Sequence, residues 1–157
     1  MTEPLRPSES ALQTTYQVLP PDTNHFGHAF GGRIMEWMDV AAGIAASRHC
    51  REPAVTVAVD DLCFARPIKM GDVVIIHACV NYTGKTSMEV GVRVDRENRK
   101  TRRREHCLSG YFTFVAIDSD NQPIPVPAVE PLTETELRRF KNAQIRRDNR
   151  LQRRVEK

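Results

Sequence analysis

The chain has 157 residues, 40% of them hydrophobic and 27% charged, with a formal net charge of +3. That suits one domain around a single core and leaves no room for a tandem pair. No apolar run reaches the ~18 residues of a membrane span, and the N-terminal MTEPLRPSES lacks the basic-then-apolar pattern of a signal peptide.

Cys50, Cys63, Cys79 and Cys107 form no CxxC pair and no metal-ligand spacing. The expectation is free thiols in a reducing cytoplasm. The charge is uneven. Nine Arg or Lys stand against Asp148 and Glu156 over residues 138–157, a local +7 that leaves −4 for the rest.

In chain order, residues 1–10 are polar with two prolines, and disorder is expected there. Thr14–Leu19 reads as a strand stopped by Pro20-Pro21. Asp22–Cys50 begins as a glycine-punctuated loop and becomes a long helix. Ile34, Met38, Ala41 and Ala45 share its apolar face. Strands follow at Ala54–Phe64, Val73–Thr83, Ser87–Asp95 and His106–Asp118, the third and fourth joined by a basic tip, Asn98–Arg104. Gly110 reads as a bend. Residues 121–132 form a proline-rich linker. Thr133 and Glu136 then form a capping box, opening an arginine-rich helix over 133–157 that reads as solvated and frayed beyond Arg146. One helix followed by four closely connected strands predicts an α+β layout, an antiparallel sheet on one helix.

The loop-to-helix stretch carries the chemistry. Met35, Asp39, Ala42, Gly43 and Ala46 form a second helical stripe, nearly all small, so Asp39 sits where another chain can come close. Gly31 and Gly32 open the helix with unpaired N–H groups and the positive end of its dipole, a place to stabilise a carbonyl oxygen gaining charge. Asn24, just upstream, offers a donor and an acceptor, or merely shapes a turn. Asp39 lies about 10 Å along the helix from Gly32 at ~1.5 Å per residue. One helix does not easily bring both to one reacting carbon, whereas two antiparallel copies could, so the site is expected to need two protomers.

NHFGHAFGGRIMEWMD, followed by AASRH, VTVAVDDLCFARPIKMGDVV and GYFTFVAID, resembles the cytosolic acyl-CoA hydrolases, the hotdog-fold thioesterases, over roughly Thr14 to Asp118. The resemblance implies a hotdog domain over residues 11–120, with a curved antiparallel sheet wrapped around one long helix. It implies hydrolysis of acyl-CoA to free acid and coenzyme A, and a homo-oligomer with a dimer as its minimal active unit and a hexamer, a trimer of dimers, as its assembly. It places the catalytic Asp on Asp39, the upstream Asn on Asn24 and the oxyanion donors near Gly31 and Gly32. The turn Lys85, Thr86 and Ser87 falls near the coenzyme A pyrophosphate. Arg66 and the tip Arg99–Arg104 are further candidates for its phosphates. No metal or redox cofactor is implied, because coenzyme A is part of the substrate.

Other readings fit less well. There is no GxSxG elbow. His49 and Cys50 are sequence neighbours on a helix and do not face each other. His25 and His28 lack a helical HxxxH frame or a thiol partner. The basic tail lacks the aromatic interleaving and recognition helix of a nucleic-acid binder. A non-catalytic acyl-CoA sensor would not need both Asn24 and Asp39. A hotdog dehydratase would want a His paired with a carboxylate, which the HFG at His25 matches poorly.

Overall fold

A computed structural model describes residues 2–157. A short helix α1 (Pro7–Ser10) precedes strand β1 (Leu12–Gln17) and a 3₁₀ turn (Pro20–Asp22). Helix α2 (Gly31–Cys50) follows, then β2 (Ala54–Phe64), β3 (Val73–Thr83), β4 (Ser87–Glu97), β5 (Arg104–Ala116) and helix α3 (Glu134–Val155). The strands form one sheet in the order β1-β3-β4-β5-β2, antiparallel throughout. No described helix is long and apolar enough to cross a membrane.

The sheet curls around α2. Its inner face presents Ile76, Val80, Val90, Val94, Leu108 and Phe112, all buried, to Ile34, Met38, Ala41 and Ala45 of the helix. The small residues of α2 set how closely the strands approach: the Phe114 ring lies 3.5 Å from where a Cβ on Gly43 would be. A side chain at Gly110 would meet Leu62 Cδ1 at 2.7 Å and Met38 Cε at 3.3 Å. Gly110 is therefore the point where β5 passes hard against the helix. α2 ends at Arg51, which takes the left-handed conformation at φ 59°, a common way to terminate a helix.

Two expectations need correction. Residues 1–10 are not uniformly disordered. Leu5 N–H donates to Ala128 O and Leu5 O accepts from Glu130 N, at 2.9 and 2.8 Å, and Ser10 is buried. The proline-rich linker provides the partner strand that the N-terminal segment lacks locally.

Nor is α3 a solvated helix frayed beyond Arg146. It runs to Val155, packed on the outer face of the sheet. Arg146 forks onto Glu89 (2.7 and 3.1 Å) and stacks 3.5 Å above the Tyr111 ring. Arg150 reaches Asp60 at 2.7 Å. Phe140 packs on Tyr82 and Ala143 is fully buried. The helix starts as the capping box predicts. Thr133 Oγ1 accepts from Glu136 N, and the Leu132 and Thr133 N–H groups hold the Glu136 carboxyl below the usual carboxylate range.

Because α3 covers the outside, Asn81 and Glu89 on β3 and β4 are buried as well. β2 is different. It is the last strand of the sheet, its outer edge is unpaired, and Val55, Val57, Val59 and Phe64 are exposed along it.

Candidate active site

The loop before α2 is built by Asn24. Its Oδ1 accepts from Phe26 N (3.0 Å) and His28 N (3.2 Å), and its backbone pairs with His28 O and Gly27 N. Gly27, at φ 74°, makes the reversal that L side chains resist. With Oδ1 committed to the loop, the amide Nδ2–H₂ is the part of Asn24 left for a ligand, so Asn24 is a donor here. His25 stacks on Phe26, centroids 4.0 Å apart.

Helix α2 starts at Gly31 with no side-chain cap on its N-terminus, and its first return bond is Ile34 N to Phe30 O. The N–H groups of Gly31 and Gly32 thus have no acceptor among the described residues. Asn24, His28, Gly31, Ile34, Phe64 and Arg66 line a cavity of about 340 Å³. Gly32 sits beside it in open space. The Arg66 guanidinium donates to His106 O at 3.1 Å. The basic tip lies at the same end of the sheet, where β4 pairs Glu97 with Arg104.

Asp39 lies elsewhere. It is half-buried on α2, and its Oδ1 accepts a 2.6 Å hydrogen bond from Thr56 Oγ1 on β2. Thr56 is a candidate site residue that sequence reasoning missed. Its hydroxyl faces the helix because Thr56 lies opposite inward-facing Phe114, with a register shift just after it. One oxygen of Asp39 is therefore fixed and the other is free to act.

The turn Lys85-Thr86-Ser87 belongs to the Asp39 end. Ser87 pairs with Val115 on β5, and Val115 pairs with Val55 on β2. Its backbone is anchored from behind, since Lys85 O and Thr86 O accept from Val126 N and Ala116 N, while the Lys85 side chain is exposed.

Within one chain the expected site residues thus fall into two groups. Asn24, Gly31, Gly32 and Arg66 gather where α2 begins and β2 ends. Asp39, with Thr56, and the Lys85–Ser87 turn gather where β2 begins. Eight residues of helix, about 12 Å at ~1.5 Å each, separate Gly31 from Asp39. His49 and Cys50 form no pair: His49 Nε2 bonds Pro127 O at 2.8 Å and Cys50 Sγ bonds Glu52 O at 3.2 Å.

Comparison with known proteins gives the same direction. The Thioesterase superfamily model matches residues 26–102. The uncharacterized acyl-CoA thioester hydrolase YkhA of Bacillus subtilis is 41% identical over 141 residues, covering 90% of this chain and 81% of that one. An acyl-CoA hydrolase from Staphylococcus aureus, solved with butyryl coenzyme A, coenzyme A and coenzyme A disulfide, superposes with a TM-score of 0.91 at 36% identity, covering 96% of this chain and 92% of that one. The same enzyme has been solved with an Asn, an Asp or a Thr replaced by alanine, and the sequence spacing of those three equals that of Asn24, Asp39 and Thr56. An apo-hexameric acyl-CoA thioesterase superposes with a TM-score of 0.93 at 38% identity, covering 97% of each chain. With the curved five-stranded sheet around α2 already in place, these likenesses settle the family: the chain is a hotdog-fold member of the acyl-CoA thioester hydrolases in the Thioesterase superfamily.

Proposed function

We propose that the protein hydrolyses acyl-CoA thioesters at a site shared between two copies of the chain. The observation that carries this is the division of the site along the unpaired edge strand β2. The Asp39–Thr56 pair stands at its start and the Asn24–Gly31 cavity at its end. Two β2 strands paired antiparallel about a two-fold axis lay the start of one beside the end of the other. Asp39 of one copy then faces the Gly31 end of its partner's helix. The exposed valines and Phe64 are the apolar surface that such pairing covers. The hexameric relative and the Asn, Asp and Thr spacing in the Staphylococcus aureus enzyme support the reading.

In this scheme the thioester carbonyl oxygen receives the N–H groups of Gly31 and Gly32, and Asn24 Nδ2–H positions the carbonyl or the attacking water. As the oxygen gains charge, those donors need no reorganisation. Asp39 Oδ2 takes a proton from a water whose oxygen forms the new C–O bond; alternatively the carboxylate itself attacks and water then opens the anhydride. In both routes the C–S bond breaks, and the leaving thiolate takes up a proton. The Thr56 hydroxyl holds Asp39 so that one lone-pair face stays aimed at the substrate. Arg66 from one copy and the Lys85, Thr86 and Ser87 turn from the other offer donors and positive charge to the coenzyme A phosphates.

Complementation tests the shared site. Asn24→Ala and Asp39→Ala are each expected to be nearly inactive. Refolded together, half the dimers are mixed, and each mixed dimer has one intact site. Activity should recover toward about a quarter of wild type per active-site equivalent. No recovery, with subunit exchange confirmed by mass spectrometry, refutes the shared site.

A further inference from the structure

Helix α3 crosses the outer face of the sheet strand by strand. Phe140 lies on Tyr82 of β3. Arg146 lies on Glu89 of β4 and Tyr111 of β5. Arg150 reaches Asp60 of β2 at 2.7 Å. β2 is the last strand, yet the helix continues to Val155. Five more residues at ~1.5 Å each carry it about 7.5 Å further, beyond the ~4.8 Å that one strand occupies. The last turn overhangs the edge of the sheet.

The overhang is basic with two exposed apolar residues. Leu151 and Val155 are exposed, and Arg153, Arg154 and Lys157 surround them. Below it, β2 presents adjacent carboxylates. Asp60 is answered within the chain by Arg150 and Arg153, at 2.7 and 3.6 Å. Asp61 is exposed and held at φ 52°. Neither Asp61 nor Arg154 has an ion-pair partner among the described residues.

We propose that this overhanging turn is a clasp that lies on the outer face of β2 in a second copy of the chain and that Arg154 neutralises Asp61 there. The inference rests on the reading that two chains pair along β2. A symmetric pairing of Ala54–Phe64 puts its axis near Val59, so Asp60 and Asp61 of both chains meet at the seam. Asp60 is already neutralised within its own chain, but the two Asp61 carboxylates meet without an ion-pair partner and repel each other unless a cation from each tail arrives. The helix direction delivers them, and the charges are complementary. The clasp explains why a basic tail is attached to a mildly acidic body without invoking nucleic acid.

Sedimentation velocity over a dilution series tests it, using wild type, a chain ending at Arg150, Arg154→Glu, the charge swap Arg154→Glu/Asp61→Arg, and Val57→Lys as a β2-edge control. Circular dichroism confirms that each variant is folded. Truncation and Arg154→Glu should each raise the dissociation constant about tenfold, the charge swap should restore it, and added salt should weaken wild type toward the truncated chain. If Val57→Lys dissociates the dimer while truncation and Arg154→Glu stay within about twofold of wild type, the clasp is wrong and β2 pairing stands. If Val57→Lys leaves the dimer intact, pairing along β2 is wrong and the clasp falls with it.

Discussion

In the proposed mechanism, Asp39 is prepared to act as the base by a single hydroxyl. Thr56 Oγ1 donates to one carboxylate oxygen at 2.6 Å and leaves the other available. Asp39→Ala should lower kcat at least about a hundredfold with the fold intact, in the range for a lost positioned base. Thr56→Val keeps the shape and removes the donor. It should lower kcat about tenfold or more with little change in KM, because the bond orients the base rather than the substrate. Steady-state assays with one acyl-CoA check both. Arg66→Ala should raise KM several-fold at nearly constant kcat; if Arg66 meets the 3′-phosphate, thioesters of dephospho-coenzyme A will not feel the change. Asp39 stands out in the sequence because a carboxylate in a stripe of alanine and glycine has no ordinary packing reason. Thr56, the partner it takes in the structure, does not. A threonine in AVTVAVD is unremarkable strand composition, and which face it takes depends on a register shift that no local pattern announces.

At the scale of elements, α2 and the four long strands could be read from periodicity and turn residues, while both ends of the chain were misjudged. Arginines at 146 and 150 look like solvated charge until Glu89 and Asp60, far away in sequence, are seen facing them. With side-chain exposures of 14% for Arg146 and 5% for Glu89, that pair is costly to break. Arg146→Ala leaves Glu89 buried without its cation, held only by Asn81 Nδ2 at 3.3 Å, and should cost about 3–5 kcal/mol, whereas Arg146→Met/Glu89→Leu should cost much less; urea midpoints distinguish them. The N-terminal segment and the linker are likewise held by long-range contacts. His49, fully buried at the end of α2, bonds Pro127 O at 2.8 Å. A carbonyl only accepts, so Nε2 carries the proton. Burial pushes the His49 pKa down, against the opposing pull of the Pro127 carbonyl and Glu9. An unfolded histidine titrates near ~6.5. Below that pH the unfolded chain takes up a proton that the folded chain refuses, so this contribution to stability is complete above ~6.5 and declines as pH falls toward the lowered value. In His49→Gln the urea midpoint should depend less on pH between about 7.5 and 5.5; an equal dependence in both proteins counts against His49 as the source.

For the whole molecule, the fold was legible because the helix, the strands and the short turns between them admit few arrangements. That the expected site residues fall into two groups was legible only as a distance along one helix. What could not be read was that β2 is the sheet's last strand, since strand order depends on pairings far apart in sequence. That unpaired edge, with Val55, Val57, Val59 and Phe64 exposed along it, has a kinetic meaning. If each working site needs two chains, the isolated chain has no catalytic turnover of its own. Specific activity should then be constant in concentrated solution and fall on dilution below the dissociation constant, where total rate varies with the square of chain concentration. An enzyme assembled this way reports its own abundance: cells making half as much of it well below that dissociation constant would lose about three-quarters of the flux.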